Sequence, residues 1–139
     1  MNIYLAASFK LKDELREYAK ELRRLGHEVT SRWLRERAHP KTQMKPTDDY
    51  GEHALRDLED IDRSDLFVIF NVDPRKNIKR GGKHFEAGYA YASRIPIIVI
   101  GPNENIFYCL RTITKYKSWE DFIGDRSEWN WEEPARREA

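Results

Sequence analysis

Leu66-Phe67-Val68-Ile69-Phe70-Asn71 is the stretch that decides the fold. Five consecutive apolar residues leave no polar face, so the strand must be covered on both sides, as a central strand of a parallel sheet is. Working back from it, Asp48 or Asp49 supplies a cap for a helix running to about Arg63. Before that, residues 31–47 carry Pro40, Pro46 and many charges, and read as a long, partly irregular connection. His27 to Thr30 reads as a strand. Leu11 to Leu25 reads as an amphipathic helix, with Leu11, Leu15, Tyr18, Ala19, Leu22 and Leu25 at helical spacing and Gly26 placed to stop it. Asn2 to Ala7 is a short apolar first strand ended by small residues.

Working forward, a basic loop from Val72 to Arg80 leads to Gly81 or Gly82, which opens a helix to about Arg94. Ile95 to Ile100 is a fourth strand closed by Gly101 and Pro102, Asn103 to Leu110 a helical turn, and Thr112 to Tyr116 a weak fifth strand. Ser118 caps a last short helix with Glu120 and Asp121 in its first turn. The chain therefore divides into an α/β domain, residues 1–124, and a polar tail, 125–139, interrupted only by Trp129 and Trp131.

Strands alternating with helices predict a single-domain α/β sandwich, flavodoxin-like or Rossmann-like. Its sheet is five-stranded and parallel, in the order 2-1-3-4-5, with right-handed crossovers and helices on both faces. In such a sheet the ligand sits beyond the carboxyl ends of the strands, where the strand order reverses. That point lies between strands one and three, so the site draws on residues 7–10, 71–86 and 101–105.

Composition narrows the partners. In 139 residues, 25 Lys and Arg nearly cancel 24 Asp and Glu, and a net charge of +1 exerts no global pull on a nucleic-acid polymer or a membrane. The single cysteine, Cys109, forms no internal disulfide and has no metal-ligand spacing around it, so no metal or cofactor is expected. The longest apolar run, Ile95 to Ile100, is far too short to span a bilayer, and a cytoplasmic protein is the expectation.

Three features carry chemistry. Glu86 lies about a turn into a helix that begins with glycines, among small and apolar neighbours. A carboxylate there is favoured as the anion, which suits a nucleophile, although a first-turn Glu answering the helix dipole is the commoner reading of position alone. The cluster Asp57, Glu59, Asp60, Asp62 and Asp65 is mostly solvated surface, yet one of its members stands to face Glu86 as proton donor, and paired carboxylates suit transfer at a sugar centre. Gly81 and Gly82 open backbone N–H groups at a helix start, and Arg75, Lys76, Lys79, Arg80 and Lys83 crowd that loop beside Ser8 and Lys10. This is equally a phosphate site or an exposed basic loop, and without a Walker ending it is no NTPase signature. Phe9, Trp33, Phe107 and Tyr108 lie near strand ends, where rings stack on bases. His84 alone among the histidines adjoins the site, more simply as a solvent-facing helix residue.

Four segments together resemble the nucleoside 2-deoxyribosyltransferase family and its relatives that hydrolyse nucleoside monophosphates. They are Ile3-Tyr-Leu-Ala-Ala-Ser-Phe9, Asp57-Leu-Glu-Asp-Ile-Asp-Arg-Ser-Asp65, Gly81-Gly-Lys-His-Phe-Glu-Ala-Gly-Tyr-Ala90 and Gly101-Pro-Asn-Glu-Asn-Ile-Phe107. The resemblance implies an enzyme that cleaves the N-glycosidic bond of a nucleoside or its 5′-monophosphate through an ester of the sugar with Glu86, and passes the sugar to another base. Hydrolysis to free base and (deoxy)ribose 5-phosphate is the alternative, and a non-catalytic nucleotide-binding module a second. By the same match Asp57 assists protonation or binding of the leaving base, Phe9 lines the base pocket, and Ala7 and Ser8 are among the substrate-binding residues. Asn105 reaches a neighbouring subunit's site in a homodimer or larger homo-oligomer. The family's free-nucleoside transferases carry an Asp six residues before the nucleophile, where this chain has Arg80. Arg80 with Ser8, Lys10, Gly81 and Gly82 suits a monophosphate better than a neutral hydroxyl.

Overall fold

Strand β3, Leu66–Phe70, is buried at every residue and sits in the middle of a five-stranded sheet. The computed structural model describes residues 1–36, 49–76 and 81–129. On one side β3 pairs with β1 (Asn2–Ala6), which pairs in turn with β2 (Glu28–Val29). On the other it pairs with β4 (Ile97–Ile100), which pairs with β5 (Thr114–Tyr116). Every pairing is parallel and the order is β2-β1-β3-β4-β5, as the alternation of elements predicts. Tyr4 lies opposite Phe67 in this register, and Phe70 opposite Ile100.

The helices are α1 (Lys12–Arg24), α2 (Tyr50–Asp62), α3 (Gly82–Ala92) and α4 (Trp119–Gly124). Helix α1 buries Leu15, Ala19 and Leu22, the i, i+4, i+7 stripe, and leaves Leu25 exposed beside Gly26, whose φ of +93° turns the chain into β2. Tyr18 of α1 stacks between Phe70 and Trp119 of α4 at centroid separations of 5.5 and 4.4 Å, which places α1 and α4 on one face. Tyr4 and Phe67 stack at 5.4 Å on the other face, under α2 and α3. Ser118 caps α4, its Oγ accepting from the Asp121 N–H at 3.1 Å.

Two expectations change. Asp49 stands at the N-cap of α2 without a side-chain capping bond, and Asp48 lies outside the described residues. The connection after β2 is not irregular at its start: Ser31 accepts the Leu5 N–H at 2.6 Å and Trp33 Nε1 donates to the Leu5 carbonyl at 2.8 Å, so residues 31–36 clamp the edge of β1 through a 3-10 turn. At the other end, Trp129 stacks on Phe122 at 4.6 Å and packs against the domain.

Gly101 closes β4 with φ of +108°, and a Cβ there would lie 2.3 Å from the Asn71 carbonyl oxygen. Both the backbone conformation and the contact exclude a side chain, because the atom in the way is main chain. Gly101→Ala is expected to cost about 3 kcal/mol or more, a fall in Tm on the order of 10 °C in thermal unfolding.

Candidate active site

The carboxyl ends of β1 and β3 meet under the first turns of α3. Gly81 takes the left-handed conformation, φ +77°, at the N-cap, and Gly82 begins the helix, so the chain swings out of the basic loop and returns over the sheet. Small residues on the buried side, Ala87 and Ala90, let α3 lie close to β3 and β4. This brings Glu86, in the second turn, down onto β1: Glu86 Oε2 accepts the Tyr4 hydroxyl proton at 2.6 Å.

Burial decides the ionisation of Glu86. Desolvation pushes its carboxyl up to about pH 7, the Tyr4 hydrogen bond pulls the other way, and the carboxylates of Asp57 and Asp60 push it further up. The helix N-terminus, which favours the anion, does not prevail against burial in an apolar site. Asp57 of α2 is also raised to about 7, first by burial and then by the carboxylates of Glu36 and Asp60. Its Oδ1 is buried with no hydrogen-bond partner among the described residues. Both carboxyls are raised toward neutrality, and the Asp57 charge is one of the influences that raise Glu86.

The other members of the acidic cluster have structural roles. Asp60 is fully buried and ion-paired, accepting from Arg32 Nε at 2.7 Å, from the Arg32 N–H at 3.0 Å and from Arg63. Asp62 accepts from the Tyr89 hydroxyl at 2.7 Å and Asp65 from the Asn2 N–H at 2.8 Å. Glu59 is exposed and reaches Arg32 at 3.4 Å.

Around the pair lie the remaining expected residues. Ala7 and Ser8 follow β1, with Ser8 at the N-cap of a 3-10 turn, Phe9–Leu11. Phe9 is exposed at the strand end, tilted against Trp33 at 6.0 Å with Lys12 Nζ 4.5 Å over its ring, and Lys10 is exposed. Gly81 and Gly82 are exposed. Arg80 and Lys79 lie outside the described residues. Asn105 is half-buried and turned inward on its own chain, its Oδ1 accepting the Phe107 N–H at 2.9 Å.

Several side chains differ from their expected roles. Lys83 does not join a phosphate loop: it is buried, ion-paired to Glu104, and donates to the Phe70 carbonyl at 3.2 Å. Arg75 is exposed and paired with Asp73 at 2.8 Å. Trp33 and Tyr108 are core residues, 7% and 2% exposed, unavailable as flat stacking surfaces, whereas Phe107 stands out at 66%. His84 faces inward, its Nδ1 2.6 Å from the Tyr108 hydroxyl. Cys109 is an exposed thiol.

Three residues of the site are not singled out by the sequence, although Asn71 and Glu104 fall within the segments expected to build it. Tyr4 had a signal, being the one hydroxyl in an apolar strand, and a buried Tyr hydroxyl needs a partner. Glu104 accepts the Val72 N–H at 3.1 Å as well as pairing with Lys83, tying the loops after β3 and β4 to the start of α3. Asn71 is 6% exposed at the end of β3, and neither its Oδ1 nor its Nδ2 has a partner among the described residues. Strand alternation puts it on the face of Phe67 and Ile69, the face of Glu86. A buried amide with both groups unmet is rare in a finished core and marks a place where a ligand's donor and acceptor would be welcome.

The Tyr4 contact predicts a pH effect of definite sign. Tyr4→Phe removes the hydroxyl that lowers the Glu86 pKa, so the acid limb of a kcat/KM profile should move up by about one pH unit. A profile with an unmoved acid limb would show that another group governs it.

A parallel sheet of this order, with the half-buried Glu86 and Asp57 carboxyls near its switch point, defines a small single-domain α/β protein. Residues 3–123 match the model of the nucleoside 2-deoxyribosyltransferase family, and the chain belongs to that family. No curated protein matches the chain. Among solved structures it is similar to a 2-deoxyribosyltransferase from Bacillus psychrosaccharolyticus, with TM-score 0.67 and 20% identity over 98% of this chain and 100% of that one. It is also similar to the Clostridium botulinum CMP N-glycosidase BcmB, with TM-score 0.61 and 20% identity over 93% of this chain and 100% of that one. A conserved protein from Enterococcus faecalis V583 follows at TM-score 0.53 and 24% identity, over 74% and 64%. At these identities the likeness is one of fold. No helix among the described residues is long and apolar enough to cross a membrane.

Proposed function

We propose that the protein cleaves the N-glycosidic bond of a nucleoside or a nucleoside 5′-monophosphate, with Glu86 as nucleophile. The observation that carries this is the half-buried Glu86 carboxyl, held at 2.6 Å by Tyr4 with Asp57 close enough to raise its pKa. A Glu Oε attacks the anomeric carbon, the bond to the base breaks, and the base takes a proton from Asp57. A second base, through a ring nitrogen, or water then attacks the sugar ester and displaces Glu86, and in either case the attacking group's proton returns to Asp57. Ala7, Ser8 and Phe9 flank the base, and the Asn71 amide offers one donor and one acceptor. A nucleophile ionised and an acid protonated at once, both near pH 7, give a narrow bell-shaped rate profile around neutrality.

The monophosphate is favoured as substrate because Arg80 stands where the resemblance places a sugar-binding Asp, and because the fold is shared with a CMP N-glycosidase. Ser8, Lys10, Arg80 and the N–H groups of Gly81 and Gly82 would hold the phosphate. Arg80→Ala is then expected to erase most of a tenfold to hundredfold preference for monophosphate over nucleoside, about 1.5–3 kcal/mol. Equal treatment of both substrates by wild type and variant would make the basic loop a bystander.

Residues 1–124 form the proposed catalytic unit and 125–139 its tail, and the lone exposed thiol fits a cytoplasmic setting. Phe85, Ile106 and Phe107, exposed at 69%, 79% and 66%, suit a homo-oligomer contact beside the site, through which Asn105 would approach the neighbouring one. The deciding experiment incubates the protein with each deoxynucleoside, ribonucleoside and monophosphate, with and without a second base, and follows free base by chromatography. Base release with a second base required means transfer; release without it means hydrolysis; no release from any substrate leaves a binding module.

A further inference from the structure

A second cavity lies away from the carboxyl pair, along β2 at the edge of the sheet. Its volume is about 530 Å³, and four arginines line it, Arg23, Arg32, Arg35 and Arg63, against a single carboxylate, Glu28. Arg23 comes from the last turn of α1, Arg63 from the C-cap of α2, and Arg32 and Arg35 from the 3-10 turn after β2, so separate elements deliver the charges to one space. Two are already occupied. Arg32 is paired with Asp60 and Glu59, and Arg63 with Asp60. Arg23 and Arg35 have no acidic partner among the described residues. Thr30 also lines it, and its hydroxyl oxygen, closed off from water, has no hydrogen-bond partner among the described residues.

Like charges converge at a cost unless an anion offsets them, and an unpartnered buried hydroxyl asks for an acceptor or donor. The volume is that of a small-ligand site. Among the described residues no aromatic side chain lines it, so a base has nothing there to stack on and recognition falls to charge. The guanidinium fork matches phosphoryl oxygens; Arg23 and Arg35 have no acidic partner among the described residues, and Arg32 and Arg63 keep N–H groups beyond those that meet Asp60 and Glu59.

We infer that this groove is a second ligand site, distinct from the carboxyl pair, for an oligophosphate: a free inorganic chain or the phosphate chain of a nucleotide. Guanidiniums from α1, α2 and the turn after β2 grip successive phosphoryl groups, and the Thr30 hydroxyl donates to one of them.

The test is calorimetric titration of the full chain with inorganic tripolyphosphate at about 0.15 M salt, where loose surface attraction is largely screened. One site per chain is expected to remain in Arg80→Ala, which removes the arginine proposed for the other phosphate site. The double variant Arg23→Gln/Arg35→Gln should bind at least about tenfold more weakly with an unchanged Tm, since both side chains are exposed and unpaired. Thr30→Val, which changes no charge, should weaken binding by about threefold to tenfold. Adenosine triphosphate should bind within about threefold of tripolyphosphate, because the base gains no stacking partner. No binding, or full binding in the double variant, overturns the site by removing the anion or placing it elsewhere. Full affinity in Thr30→Val reduces the groove to a plain charge patch, and a hundredfold gain for the nucleotide moves the ligand to a base-binding pocket; each also overturns it.

Discussion

Glu86→Gln is expected to lower base release by at least about 10⁴-fold, since it removes the atom that forms the bond to the sugar. The glutamine is the informative replacement because its amide oxygen still accepts from the Tyr4 hydroxyl, so the 2.6 Å contact has a successor. Alanine would leave that hydroxyl buried and unmet, at about 1–3 kcal/mol, and mix a stability loss into the result. Circular dichroism and Tm of the Gln variant should therefore match wild type. A slow 2-fluorinated substrate should add the mass of one sugar to the wild-type peptide that contains residue 86, and none to the variant. An adduct on a different peptide would move the nucleophile, and full activity in the variant would remove the covalent mechanism.

Asp57→Asn is expected to lower kcat by about 10²- to 10³-fold, with a smaller change in KM, because an amide has no proton to exchange with the leaving base. A second readout separates this role from binding. Removing the Asp57 charge removes one of the influences that raise the Glu86 pKa, so the acid limb of the rate profile should move down. The alkaline limb, which reports loss of the Asp57 proton, should disappear. The downward move of the acid limb opposes in sign the Tyr4→Phe shift, which moves it up. A change in KM alone would make Asp57 a binding residue.

How much of this was legible follows from the range over which each feature is determined. The all-apolar Leu66–Phe70 could only be a doubly covered strand, and the stripe Leu15, Ala19, Leu22 could only be the inner face of a helix. Gly26, Gly81 and Gly101 adopt the positive φ that their places at element ends require. Periodicity and backbone freedom are local properties, and the strand order follows from them through the handedness of parallel connections. The boundaries that shifted, such as β4 beginning at Ile97 rather than Ile95, lie where apolar residues continue past the ladder.

The state of each charged group was not local. Asp57, Asp60 and Asp62 look alike in the sequence, yet one is half-buried with an unmet oxygen, one is sealed beneath two arginines, and one caps a tyrosine at the surface. Lys83 reads as one more cation in a basic loop until the fold brings Glu104 against it. Glu86 has a partner 82 residues away in Tyr4. The sequence by itself determined the sheet, its order and the helix that carries Glu86, because near neighbours set those. Only the tertiary structure decided which carboxyls titrate near neutrality and which cations are neutralised, because ionisation depends on how much water remains and which charges arrive from distant segments.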